Sequence, residues 1–104
     1  MTIQINTDKN LNVHEAFEAK LDGLLTEELS RFSEHITRLE VHLSDEDGGK
    51  KELNDKRCMI EARLEGRQPI AVIAHGDTYE LSVAAAINKL KHSLGTILSR
   101  SQNH

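Results

Sequence analysis

The spacing of the apolar residues constrains this chain more than any other feature, because its period switches between two and about 3.6 along the sequence. Ile3 and Ile5 alternate with polar residues, which predicts a half-buried first strand. A helical spacing follows, and it begins where Asn12 as N-cap and Glu15 as its reciprocal partner form a capping pair. The apolar stripe of this segment comprises Val13, Phe17, Leu21, Leu24 and Phe32. The sequence therefore predicts a strand followed by a long amphipathic helix.

From residue 36 the period returns to two, and three successive runs of this kind predict three further strands. The inward-facing residues of the first two runs are predicted to be Leu39, Val41 and Leu43, and then Cys58, Ile60, Ala62 and Leu64. Residues 70–74 are nearly all apolar and predict a more deeply buried fourth strand. A final helix is predicted after the N-cap Asp77, with Glu80 at the reciprocal position. Its apolar stripe comprises Val83, Ile87, Leu90, Leu94 and Ile97. The predicted order is β-α-β-β-β-α.

Each predicted strand has one apolar face and each predicted helix one apolar stripe. The economical packing lays both helices on one face of an antiparallel-rich, four-stranded sheet, which is an α/β sandwich of the α+β type. The 104 residues are about the size of one domain, and we assign residues 1–100 to it and residues 101–104 to a frayed tail. The polar residues 44–51 predict a mobile loop extending toward Asp55, and residues 66–69 predict a compact turn.

Two features of the sequence indicate a cytoplasmic protein. Cys58 is the only cysteine, so the chain cannot form an intramolecular disulfide, and a reducing compartment fits. No apolar run approaches the roughly 20 residues that a membrane span requires, and the N-terminus has neither a basic start nor an apolar stretch. We therefore expect a cytoplasmic protein with no membrane partner.

The charged residues are unevenly distributed along the chain. The formal net charge of -4, from 13 basic and 17 acidic residues, predicts no overall attraction to nucleic acid or to anionic membrane. All 17 acidic residues, however, lie at or before Glu80. Beyond that position the chain carries Lys89, Lys91 and Arg100, and His92 can add positive charge at lower pH. The last helix is therefore the cationic part of an anionic chain.

Three short motifs occur in order within this pattern: RLEG at residues 63–66, DTYE at 77–80 and INKL at 87–90. Together with the predicted element order, they resemble the ribosome hibernation-promoting factor and ribosome-associated inhibitor family, which is sigma-54 modulation protein-like, in its short form. The resemblance covers nearly the whole chain. It implies a ribosome-associated stress or hibernation factor that binds small-subunit rRNA, inhibits translation and catalyses no reaction. The expected partner is the small ribosomal subunit, and no binding to DNA is expected.

The first candidate RNA-binding group lies on the last helix and consists of Lys89, Lys91, His92 and Arg100. RNA affinity comes mainly from Lys and Arg side chains that neutralise phosphates and release counterions. Helical phase places Lys89, Thr96 and Arg100 on one flank and Lys91 on the opposite flank. Lys89 and Arg100 are roughly 16 Å apart along the axis, a span that could follow a phosphate backbone. The alternative interpretation is a solvated helix face whose cations favour the C-terminal end of the helix dipole.

A second basic group is predicted on the outward face and rim of the sheet. Its members are Arg38, Lys56, Arg57, Arg63 and Arg67, of which Arg57, Arg63 and Arg67 are the candidates for RNA contact. Arginine suits this role because its planar fork binds phosphate and stacks on bases. Glu40 and Glu61 are interleaved with these residues, so cross-strand ion pairing explains the same pattern without a ligand.

The residues that usually carry catalysis or metal binding form no recognisable arrangement in the sequence. The six histidines include no H-x-x-x-H pair, and Cys58 is predicted to face inward, so we expect no metal and no cofactor. The sequence contains neither a G-x-S-x-G elbow nor a phosphate-binding P-loop, and its carboxylates are scattered over solvated faces. We therefore expect a binding protein and not an enzyme.

One alternative function stays open from the sequence. The domain could be a non-catalytic regulatory or protein-interaction module of the same fold that has lost strong RNA binding. It would bind a protein, or form a weak homodimer, through Met59 and Ile73 on the sheet face. Two departures from the family pattern favour this alternative: the first helix is acidic, and residues 93–98 read SLGTIL where family members generally carry several basic residues.

Overall fold

A computed structural model describes residues 1–7, 15–45 and 56–102, with side chains described as far as Ser99. The elements are β1 (Thr2–Thr7), α1 (Glu15–Glu28), a short 3-10 helix (Ser30–Phe32), β2 (Ile36–Asp45), β3 (Lys56–Leu64), β4 (Ile70–Gly76) and α2 (Tyr79–Gln102). This order confirms the β-α-β-β-β-α prediction. The frayed tail stays a prediction, since α2 includes Gln102 and residues 103–104 lie outside the described part of the chain.

The four strands form one mixed sheet in the order β1-β2-β3-β4. β1 runs parallel to β2, whereas β2 with β3 and β3 with β4 are antiparallel. The register aligns Ile5, Val41, Ile60 and Val72 in one row across the sheet. A parallel pair needs a crossover between its strands, and the segment between β1 and β2 that contains α1 provides it.

The core lies between one face of the sheet and the two helices. Its fully buried side chains include Leu21, Leu25, Leu29, Leu39, Val41, Leu43, Cys58, Ile60, Val83, Leu90 and Leu94. Burying a side chain of this size contributes roughly 1.5–3 kcal/mol, so these residues are the main source of stability. The predicted inward faces of β2 and β3 are confirmed, and the opposite face of the sheet is open to solvent or a partner. The prediction of a deeply buried fourth strand is wrong, because β4 is an edge strand in which Ala74 is buried and Ile73 is exposed.

The first helix is shorter than predicted. α1 ends at Glu28, and Phe32 is carried by the 3-10 helix that follows. The Phe32 N–H donates to the Leu29 carbonyl at 2.9 Å, a spacing of three residues that tightens the chain while both side chains stay buried. The predicted N-cap Asn12 lies outside the described residues, as do residues 46–51 of the predicted loop, whereas Ser44 and Asp45 extend β2.

The chain enters α2 through a close backbone contact. A Cβ atom on Gly76 would lie 2.8 Å from the Ser82 main-chain nitrogen, so the end of β4 and the first turn of α2 approach closely only because residue 76 is glycine. Thr78 immediately precedes α2, and its Oγ1 accepts a hydrogen bond from the Leu81 N–H at 3.1 Å. This capping contact lies one residue later than the predicted N-cap, Asp77.

The predicted turn at residues 66–69 connects β3 to β4, and Gly66 has a φ of 70°. That conformation lies in the left-handed region, where glycine avoids the strain that a Cβ atom introduces.

Candidate nucleic-acid interface

The helices α1 and α2 are connected by two ion pairs across their outer sides. Lys20 Nζ lies 3.1 Å from Glu80 Oε1, and Lys91 Nζ lies 3.2 Å from Glu28 Oε2. The pairs occur in the same order along both helices, so the helices run in the same general direction. The acidic helix therefore lies beside the cationic helix, and part of the charge of each is compensated at this seam.

Lys89 and Lys91 lie on opposite flanks of α2, as helical phase predicts. Lys91 faces α1, whereas the Lys89 ammonium donates a hydrogen bond of 2.7 Å to the Ile73 carbonyl of β4. Because β4 is an edge strand, Lys89 covers one of its main-chain acceptors. The carbonyl is neutral, so Lys89 keeps its positive charge at an exposed position.

Lys91 and His92 line an open cleft between the 3-10 helix and α2. The cleft has a volume of about 460 Å³, and its other lining residues are Arg31, Gly95, Thr96 and Ser99. Arg31 is not among the residues predicted from the sequence, because it follows an acidic helix and lies far from the basic residues of α2 in the chain. Arg100 belongs to α2, but its side chain lies outside the described part of the chain.

The open face of the sheet carries an ion-pair network around Glu40. Arg38 Nε donates to Glu40 Oε1 at 3.0 Å, and Arg38 also hydrogen-bonds the Gln4 side chain. Arg63 lies 3.2 Å from Glu61 Oε1 and 3.8 Å from Glu40 Oε1. The hydrogen bond from Arg38 is the main cause that lowers the pKa of Glu40. Two of these pairs lie within one strand, and the predicted cross-strand pairing is found at the longer contact between Arg63 and Glu40.

The remaining candidates lie apart from the cleft. Arg57 is half-buried on the outward face of β3, opposite Ser44 on one side and His75 on the other. Arg67 is exposed in the turn after β3, where it lines a second opening of about 760 Å³ with Gly66, Gln68, Ile70 and Ile97. The sheet face and the helix layer are opposite surfaces, so Arg57 and Arg63 cannot contact the same phosphate as Lys91 and His92.

Groups that could perform covalent chemistry are poorly placed. Burial raises the pKa of the Cys58 thiol to about 12, so it stays protonated and is a poor nucleophile near neutral pH. Among the described residues, no three His, Cys, Asp or Glu side chains are placed to hold a metal ion. Tyr79 is half-buried, and the Lys56 ammonium lies 5.8 Å from the centre of its ring, which is consistent with a packing role. Within the described residues, neither α1 nor α2 is long and apolar enough to span a bilayer.

Known proteins share this architecture. The family model described as sigma 54 modulation protein / S30EA ribosomal protein matches residues 3–102. The crystal structure of the Thermus thermophilus Protein Y N-terminal domain is 21% identical, with a TM-score of 0.73 over 93% of this chain and 99% of that chain. A ribosomal subunit interface protein from Coxiella burnetii is 19% identical, with a TM-score of 0.72 over 95% and 99%. At these identities the two structures show a shared fold. Among curated proteins, none matches this chain.

Proposed function

Because the chain belongs to the sigma 54 modulation protein / S30EA ribosomal protein family, we propose that it is a ribosome hibernation factor that binds small-subunit rRNA and inhibits translation. It acts in the cytoplasm by occupying a site on the subunit, without catalysing a reaction. Family membership supports the association with ribosomes, and the distribution of charge on the helices supports RNA as the component that is bound.

The observation that carries this proposal is the charge of α2 beyond its first turn. From Leu81 to Gln102 the helix contains no carboxylate, and Lys89 and Lys91 project from its two flanks. Lys89 contacts a neutral carbonyl, and Lys91 shares its charge with one exposed glutamate. Cations on a helix surface of this kind can approach a polyphosphate without first being separated from buried partners.

The arginines of the sheet face are weaker candidates. Arg63 would have to leave Glu61 and Glu40 before it could contact a phosphate, because all three side chains belong to one network. Arg63 would have to exchange contacts with two carboxylates, whereas Lys91 would exchange one, so Arg63 gains less from a phosphate. We therefore assign the main contact to α2 and treat Arg57, Arg63 and Arg67 as weaker contacts that are separate from it.

Recognition through these residues selects shape and not sequence. Contacts from Lys and Arg to phosphates position a protein on RNA but do not distinguish bases. The described residues include only Phe17, Phe32 and Tyr79 as aromatic side chains, and all three are half-buried or buried, which leaves few rings on which bases could stack.

The test is co-sedimentation with small ribosomal subunits at several salt concentrations. Binding by the wild-type chain should weaken steeply as salt rises, with a slope of roughly 0.7–0.9 per phosphate neutralised. The double variant Lys89→Gln, Arg100→Gln should lower that slope and the affinity, while glutamine at residue 89 can still donate to the Ile73 carbonyl. Lys20→Gln on α1 is the control for loss of a helix cation. Unchanged co-sedimentation of the double variant would reject the assignment to α2.

A second candidate function is protein binding through the sheet face, either to another protein or to a second copy of this chain in a weak homodimer. Ile73 is 41% exposed and pairs in register with the half-buried Met59, which makes a small apolar area beside the edge strand. An apolar interface of this kind loses little affinity as salt rises. Salt-resistant binding that Ile73→Ser abolishes would therefore favour this function over RNA docking.

A further inference from the structure

The geometry points to a binding site for one phosphate group, the seat, in the cleft between the 3-10 helix and α2, with Arg31 as its main cation. This inference rests on the proposed function and deepens it, because it names the place where an RNA backbone phosphate is held. It also adds a residue from outside α2 to the binding surface. The ligand class is a phosphate ester, and the RNA backbone is its expected source.

Arg31 stacks on Phe32 and extends toward α2. Its guanidinium carbon lies 4.4 Å from the centre of the Phe32 ring, and Phe32 is only 4% exposed, so the ring is fixed in the core. Arg31 Nη2 lies 3.7 Å from the position that a Cβ atom on Gly95 would occupy, so the guanidinium lies beside α2. A guanidinium stacked in this way keeps the N–H groups along its edge available for two parallel hydrogen bonds to a phosphate.

Gly95 leaves the space that the anion needs. It lies within α2 and lines the cleft directly beside Arg31. Glycine is a poor helix former, so its presence in the middle of a helix lowers intrinsic helix stability. A methyl group at residue 95 would make only ordinary contact with Arg31, whereas a long side chain would project into the cleft.

Lys91 supplies the second cation of the seat. Its ammonium contacts Glu28, but both side chains are partly exposed, and exposed pairs of this kind are weak and easily exchanged. A phosphate between Arg31 and Lys91 would replace one carboxylate with a group that accepts more hydrogen bonds. The cleft has a volume of about 460 Å³ and is open to the surface, so a phosphate within an RNA chain can enter it.

The hydroxyl groups of the cleft have different roles. Thr96 Oγ1 donates its proton to the His92 carbonyl at 3.1 Å, so it faces the cleft as an acceptor and does not contribute a donor. Ser99 lies one turn further along α2 at an exposed position, where its hydroxyl can donate. The donors of the seat are therefore Arg31, Lys91, His92 and Ser99.

The experiment is an NMR titration of the full chain with three probes: inorganic phosphate, a mononucleotide and a short single-stranded RNA. The Arg31 side-chain N–H and the Gly95 amide should shift with each probe. Arg31→Gln should weaken RNA binding about fivefold or more and remove the shifts caused by phosphate. Lys20→Gln, which removes an equal charge outside the cleft, should change neither.

A pair of substitutions at residue 95 tests the cleft without touching a cation. Gly95→Ala should leave binding unchanged, whereas Gly95→Glu should place a carboxylate beside Arg31 and abolish the shifts. If both Gly95 variants and Arg31→Gln bind phosphate and RNA as tightly as the wild type does, the seat is wrong, even if ribosome binding persists. If the wild-type cleft binds phosphate but the chain does not sediment with subunits, the seat is supported and the proposed function fails. Tighter binding of the mononucleotide than of the RNA would support the seat and make a free nucleotide its ligand.

Discussion

The two helices meet the same packing requirement but present opposite charges to solvent. Both bury one apolar stripe against the same face of the sheet, α1 through Leu21 and Leu25 and α2 through Leu90 and Leu94. The remaining surface of α1 carries Glu15, Glu18, Asp22, Glu27 and Glu28, whereas α2 carries no acidic residue beyond Glu80. The core therefore determines only the inward stripe of each helix, and the outward surfaces are available for function.

The sheet face provides a useful contrast with α2. In a strand, residues two positions apart share a face, so Arg38 and Glu40 lie beside each other and pair, as do Glu61 and Arg63. Beyond the first turn of α2, cations have no acidic neighbour on their own helix. The number of basic residues is therefore a poor guide to an RNA surface, because local pairing decides how much of their charge is available.

The largest effect on ribosome binding is expected from charge substitutions that test whether the two helices differ in function. Lys91→Glu should weaken co-sedimentation with small subunits about tenfold, which corresponds to roughly 1.4 kcal/mol. Glu27→Lys on α1 should change it less than about twofold, because that helix lies outside the proposed contact. Circular dichroism confirms that both variants fold. Effects of equal size and opposite sign would mean that net charge, and not the placement of charge, governs binding.

The largest effect on stability is expected where a helix closely approaches its neighbour. Gly76→Ala should destabilise the protein by about 1–3 kcal/mol, because its Cβ atom would lie 2.8 Å from the Ser82 main-chain nitrogen and neither backbone can easily move. Urea denaturation followed by circular dichroism measures the free energy of unfolding. A variant as stable as the wild type would show that the first turn of α2 can shift away from β4.

Gly23→Ala is the matched substitution in α1 and should have the opposite sign. No atom lies within 4 Å of the added Cβ atom, and alanine is the better helix former. The free energy of unfolding should therefore rise by about 0.5–1 kcal/mol in the same urea experiment. A loss of stability would indicate that α1 has a contact at residue 23 that the structure does not show.

The smallest effect is expected on the open sheet face and depends on pH. The hydrogen bond from Arg38 lowers the pKa of Glu40, so ionised Glu40 stabilises the fold above its ordinary value of 4.5, and this contribution is lost as pH falls through the lowered pKa. Glu40→Gln should therefore lower the melting temperature at pH 7 and have a smaller effect at pH 3. An equal difference at both pH values would show that the ionised carboxylate is not what Arg38 and Arg63 stabilise.

The inward faces of β2 and β3 could be predicted residue by residue, whereas the exposure of β4 and the end of α1 could not. Alternation has a direct meaning in a strand, so the inward positions of β2 and β3 followed from spacing, but the place of β4 at the edge of the sheet did not. The end of α1 depended on how the chain had to turn before β2. Leu29 and Phe32 keep their places in the core through a 3-10 turn, which helical periodicity does not distinguish from a longer helix.

The candidate site was predicted in part. Helical phase correctly separated Lys89 from Lys91, because phase is a property of one helix. It could not show that Lys89 would contact the Ile73 carbonyl, or that Lys91 would face Glu28. These contacts depend on which neighbouring element lies beside each flank, and that is a property of the packed domain.

By itself, the sequence determined the order of the elements, the apolar face of each and the concentration of positive charge on α2, because these follow from spacing and composition along one chain. Only the tertiary structure decided that Arg31, 60 positions before Lys91, shares a cleft with it, that Gly95 leaves that cleft open and that the sheet-face arginines are paired. Residues far apart in sequence become neighbours through packing, and packing is decided by the shape and burial of the whole core.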